Sequence, residues 1–141
     1  GGGMYNFYAM GTADNPRTPV VFVHEFGHSF AGLADEYFSS EVAYQDFYNL
    51  KYEPWEPNIT TLVNFDAKWK DLLPANTPVP TPLDDAHKDK AGVFEGGGYI
   101  AKGIYRPMDH CMMRDYAPFC PACSRAILQM IDYFTDKPIK H

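Results

Sequence analysis

The sequence predicts an α+β fold, and three stretches predict it. A capped helical segment ends at Ala31, residues 121–134 carry apolar side chains at a 3.6-residue period, and the glycine-punctuated residues 91–107 read as a hairpin or a pair of bulged strands. The chain has 141 residues, enough for one domain with a single hydrophobic core, and 45% hydrophobic residues with ten Phe, ten Tyr and two Trp supply the material to fill it.

Taken in order, residues 4–12 alternate Tyr5, Phe7 and Ala9 against Met4, Asn6 and Tyr8, which suits a strand with two dissimilar faces, and Asn15-Pro16 then punctuates the chain. Thr18 reads as an N-cap and Pro19 as the first helical position, because a missing N–H costs nothing there. The helix runs over about 19–31 and stops at Gly32; Val23, Phe26, Gly27 and Phe30 form its expected buried face, and His24 and His28 share another.

From Phe38 to about Gly92 the pattern is irregular and rich in Trp, Tyr and Pro. Within it, residues 64–73 predict a short helix capped by Asn64, with Phe65, Trp69, Leu72 and Leu73 turned inward, and residues 74–82 a proline-rich surface loop. The last helix, 121–134, should bury Ile127, Met130, Ile131 and Phe134.

The formal charge of −6 argues against nucleic acid as a partner, since phosphate binding draws on clustered Lys and Arg. No apolar run approaches the ~20 residues of a membrane helix. No secretory leader is visible either, in a chain that begins Gly1-Gly2-Gly3.

The stretch "VFVHEFGHSFAGLADEYF", residues 21–38, carries the chemistry. Histidines at i and i+4 lie one helical turn apart, so the imidazoles of His24 and His28 can reach one zinc ion at bond lengths of about 2 Å. Glu25 stands about 100° further round the helix, beside the metal, where its carboxylate can take a proton from water without entering the coordination sphere. This is the H-E-x-x-H logic of zinc proteases. A catalytic zinc also needs a third protein ligand and an open position. In the metzincin layout a glycine ends the helix and a His or Asp three residues later completes the set. Here Gly32 leads to Asp35, with Glu36 as the alternative, although the glycine sits one residue later than that layout expects.

"HEFGHSFAGLADEY", together with "EPWEPNITTLVNFDAKWKDLLP", "FEGGGYIAKGIYRP" and "CMMRDYAPFCPAC", resembles the bacterial IgA-peptidase family of zinc metallopeptidases, metzincin-like zincins. The resemblance implies a zincin/metzincin-like catalytic domain over residues 1–141, or the C-terminal fragment of one, lacking part of the N-terminal sheet. It implies a zinc endopeptidase in which Zn2+ is held by His24, His28 and Asp35 and Glu25 is the catalytic base. Its expected partners are protein or peptide substrates, host glycoproteins among them, and a neighbouring strand could pair with an extended peptide. It further implies a secreted, periplasmic or cell-surface location. A zinc-binding module without hydrolysis and a zinc hydrolase of non-peptide amides are the alternatives; retention of Glu25 speaks against the first.

The resemblance also places a Met-turn over about 111–116, with Met113 rather than Met112 packed beneath the ligands, and allows Tyr116 to stabilise an oxyanion. Arg114 suits a local or a substrate carboxylate equally. Cys111, Cys120 and Cys123 read first as one disulfide plus a free thiol, in keeping with export, and second as a Cys3His zinc site with His110; a redox pair at Cys120 and Cys123 lacks the surrounding βαβ pattern. Asn58-Ile59-Thr60 has the form of a glycosylation sequon, and Gly96–Gly98 reads as backbone freedom near a cleft. His87, His110 and His141 have no partner spacing and read as solvated or structural.

Overall fold

The computed structural model describes residues 1–38 and 47–136. The part of the irregular Phe38–Gly92 stretch at 39–46, and His141, lie outside the described residues. Its elements run β1 (Gly2–Met4), β2 (Tyr8–Met10), α1 (Thr18–Ala31), two 3-10 turns (Phe65–Ala67 and Lys70–Leu72), β3 (Phe94–Gly97), β4 (Ile100–Arg106), α2 (Met112–Asp115) and α3 (Pro121–Phe134). The result is the α+β arrangement the sequence predicts, with two antiparallel two-stranded sheets, β1–β2 and β3–β4.

The single strand expected over 4–12 is instead a hairpin. The chain reverses at Tyr5–Phe7, where Asn6 takes φ 62 and Phe7 N–H donates to Met4 O at 3.0 Å. Alternation of side chains reads the same through a strand and a tight turn, so the pattern could not reveal the reversal. β1 and β2 both pack on α1.

α1 begins one residue before the expected position, with Arg17 as its N-cap and Thr18 inside the helix. The Thr18 hydroxyl donates to Thr12 O rather than capping an amide. Gly32 ends the helix as expected, in the left-handed region at φ 63 with its N–H on His28 O at 3.1 Å. The buried face agrees with expectation in part: Gly27 is buried and Phe30 packs against the core, but Val23 and Phe26 do not. His24, Gly27 and Ala31 are buried, while Val23 and Phe26 are 39% and 41% exposed. What decides the face is the partner: Met113 packs so closely on Gly27 that a Cβ there would stand 2.8 Å from its sulfur. A glycine at position 27 admits that approach.

Residues 64–73 form two 3-10 turns rather than one helix, and Asn64 makes no side-chain cap. The expected inward residues are nevertheless inward: Trp69 is fully buried, donates Nε1–H to Gly92 O at 2.7 Å and packs edge-on against Phe65. β3 and β4 pair with a register shift between Glu95 and Gly97, the bulged hairpin the glycines imply. α3 matches its expected limits, but its buried residues are Ala122, Cys123 and Ala126; Ile127 and Met130 are partly buried, and Ile131 and Phe134 remain exposed.

The main core gathers Ala31 and Leu33, Trp69, Cys111 and Met113, Cys120, and Ala122, Cys123 and Ala126 of α3. A smaller one joins Ala34 to Ile59, Ile100 and Ile104. Residues 33–38 run between the two. Glu36 N–H donates to Met113 O at 2.8 Å on one side, and on the other Gly98 N–H and Tyr99 N–H donate to Asp35 O and Tyr37 O at 2.8 and 3.0 Å.

Candidate metal centre

His24 and His28 project from one face of α1, and each ring is fixed from behind. His24 Nδ1 lies 2.8 Å from Met112 O, and His28 Nδ1 lies 2.6 Å from Leu33 O. A carbonyl can only accept, so each Nδ1 carries a proton, and in the neutral ring each Nε2 presents a bare lone pair. The two Nε2 atoms face one another at 3.2 Å.

Asp35 completes the set. Its Oδ1 lies 2.9 Å from His24 Nε2 and 3.2 Å from His28 Nε2, while Tyr99 Oη donates to Oδ2 and fixes the plane of the carboxylate. Oδ1 is buried with no hydrogen-bond donor aimed at it. Three lone-pair donors thus converge on one point with edges of 2.9, 3.2 and 3.2 Å. A tetrahedral ion with bonds of about 2.0–2.1 Å spaces its ligands about 3.3 Å apart, so the donor set fits such a cation.

The electrostatics agree. Burial opposes charge on both histidines, yet the Asp35 carboxylate outweighs it and raises both pKa values. Burial likewise opposes ionisation of Asp35, but the two imidazoles and Tyr99 hold its carboxyl well below the ordinary range. The potential that would hold a proton between these groups equally favours a metal cation.

Glu25 is half-buried, with its carboxylate within 4.8 Å of the donor atoms of His24 and His28. It lines a cleft of 340 Å³ together with Gly1–Gly3, the two histidines, Asp35 and Tyr99. Across this cleft Tyr48 Oη donates to Glu56 Oε1 at 2.9 Å.

Of the other site expectations, Met113 lies buried beneath α1, and Met112 contributes its carbonyl to His24. Glu36, the alternative third ligand, points away from the histidines into the core. Tyr116 does not line the cleft; its ring stands 5.4 Å from that of His24 and borders an adjacent pocket with Gly1, Arg17 and Val21. Arg114 pairs locally with Asp109. His87 and His110 pair with Asp84 and Asp115. None of the three cysteines is bridged, so the expected disulfide is absent, and His110 is not grouped with them. Asn58 is fully buried, its side chain bonded to Ala34 N, Ala34 O and Glu36 Oε1 at 2.8–2.9 Å, so the sequon is closed to modification in the fold. Nothing in the sequence signalled the roles of Tyr99 and Asn58 in holding Asp35 and Glu36, because each meets its partner across more than 20 residues of chain.

These features define a candidate centre for a metal cation with a carboxylate beside it. A family model described as IgA Peptidase M64 matches residues 1–91 and 83–131. The chain belongs to this family of metallopeptidases. No curated protein matched the chain. Among the described residues, no helix is long and apolar enough to cross a membrane.

Proposed function

We propose that the chain is a zinc-dependent endopeptidase, or the zinc-bearing part of one, with His24, His28 and Asp35 as ligands and Glu25 as general base. The observation that carries this reading is the buried, donorless Oδ1 of Asp35 facing two bare imidazole nitrogens. A zinc ion held there by His24, His28 and Asp35 would supply Lewis acidity toward the scissile carbonyl and toward water. Glu25, which lines the same cleft, takes the proton of the attacking water and passes it to the leaving amine. Tyr99 holds Asp35 in place, and the carbonyls of Met112 and Leu33 keep the imidazoles in the tautomer that leaves Nε2 available. β1, which lines the cleft through Gly2 and Gly3, supports pairing with an extended peptide. Work outside the cytoplasm is part of the proposal on family membership alone, because the unbridged cysteines withdraw the disulfide argument.

The test compares zinc content and cleavage of denatured proteins by the wild type and Glu25→Ala. Both should bind zinc, and only the wild type should cleave. Equal cleavage by both would remove Glu25 from its role, and zinc bound without cleavage by the wild type would favour a binding module.

A further inference from the structure

The chain continues from Asp35 to Glu36, and the side chain direction reverses. Glu36 is fully buried, and a carboxylate in a core is costly unless it is paired or coordinates a metal. Asn58 Nδ2 donates to Oε1 at 2.9 Å, while Oε2 has no partner. What surrounds the carboxylate is three unbridged, buried thiols, those of Cys111, Cys120 and Cys123. One donor atom from each of the four residues lies within 4.8 Å of all the others, with Cys123 Sγ 3.2 Å from Glu36 Oε1.

The spacing separates the two ways these cysteines could be used. Cys111 Sγ and Cys123 Sγ are 3.7 Å apart. A disulfide requires about 2.05 Å, whereas two thiolates on a tetrahedral zinc with bonds of about 2.3 Å stand about 3.8 Å apart. The backbone is arranged for thiolates as well. Cys120 is the N-cap of α3, with its Sγ accepting from Cys123 N–H at 3.5 Å, and Cys120 N–H points at Cys111 Sγ at 3.4 Å. The positive end of α3 therefore faces the cluster.

We propose that Glu36, Cys111, Cys120 and Cys123 form a second metal centre, a closed four-ligand site for a thiophilic divalent ion such as Zn2+, distinct from the histidine centre. All four residues are buried, so no coordination position opens to the cleft and the role is structural. The ion would tie three segments together: the loop bearing Asp35, the Met112–Asp115 turn whose Met112 carbonyl fixes His24, and the start of α3. Binding displaces the thiol protons into solution, which makes affinity fall as pH falls.

Cobalt loading of the wild-type chain tests this directly, because the histidine centre contains no sulfur. Two Co2+ per chain with a thiolate-to-cobalt charge-transfer band in the near ultraviolet are expected, along with three titratable thiols after denaturation in chelator. His24→Ala/His28→Ala should keep one ion and the full band. Glu36→Gln, which preserves volume and all three thiols, should weaken binding at this centre at least tenfold. Absence of the band overturns the proposal, whether the denatured chain shows one thiol, meaning a disulfide, or three. Failure of the peptidase reading would instead appear as loss of the ion that His24 and His28 hold, with the band intact.

Discussion

Asp35 and Glu36 are consecutive carboxylates, yet one lines the cleft beside two imidazoles and the other is sealed among three thiols. Extended backbone turns successive side chains to opposite sides, so a single residue step separates the two environments. The first cluster presents three donors and an open side, with Glu25 beside it. The second presents four donors and no opening. On the two proposals, the same kind of ligand chemistry would serve reaction or scaffold according to whether water can reach the fourth position.

The sharpest way to break the comparison is at Glu25. Glu25→Gln keeps the shape of the cleft and removes only the proton acceptor, so kcat should fall by about 10²–10⁴-fold. Zinc content measured on the same preparation should not change. The corresponding change at the closed cluster, Glu36→Gln, should act on metal retention and thermal stability before it acts on chemistry.

Asn58 stands between the two clusters, holding Ala34 by both backbone groups and Glu36 by its carboxylate. Asn58→Ala leaves the buried N–H and C=O of Ala34 without this partner and leaves Glu36 Oε1 with only the Cys123 thiol, at about 1–3 kcal/mol for each backbone group that water cannot reach. Denaturant unfolding should show a loss of at least about 2 kcal/mol. If stability is unchanged, the loop does not depend on this clamp.

How much of this was legible follows from chain separation. The pairing of His24, Glu25 and His28 is a property of one helical turn, and the stop at Gly32 is a property of one residue's backbone, so both could be read locally. Asp35 followed from its distance to that stop. The closed cluster was less legible: the three cysteines read first as a disulfide with one thiol left over, and the second reading, a metal site, takes its fourth member at His110, the sequence neighbour of Cys111, whereas the fold brings Glu36 from 87 residues away from Cys123. The buried face of α1 was legible at Gly27 and Phe30 but not at Val23 and Phe26, for a related reason. Amphipathic pattern ranks side chains by polarity, while Met113 and the ligand loop select for smallness at Gly27 and Ala31 and for chemistry at His24.

Tyr99 sharpens the open cluster without touching the closed one. Its hydroxyl fixes Oδ2 of Asp35, which leaves Oδ1 for the histidine side. Tyr99→Phe should weaken zinc binding at the histidine centre by about 10–100-fold, the usual effect of losing such a supporting bond. A competitive chelator titration measures it, and the cobalt–thiolate band should be unaltered.

The smallest effect belongs to a charged pair outside both clusters, which calibrates how little an exposed interaction contributes beside them. Arg125 of α3 reaches Asp71 of the second 3-10 turn with Nη1 at 2.7 and 2.8 Å, and its Nη2 donates to Lys68 O at 2.7 Å. The guanidinium lowers the Asp71 pKa below its ordinary value. A carboxylate depressed in the folded state contributes stability that is present above its unfolded pKa of about 3.9 and lost as pH falls through the lower folded value. Asp71 is 68% exposed, so solvent screening limits the contribution to about 0–1 kcal/mol. Asp71→Asn should therefore lower stability slightly at pH 7, and the difference from wild type should shrink steadily below about pH 4. A difference that persisted or grew on acidification would mean that the charge of Asp71 is not what the pair contributes, and that the Arg125 contact with the Lys68 carbonyl carries it instead.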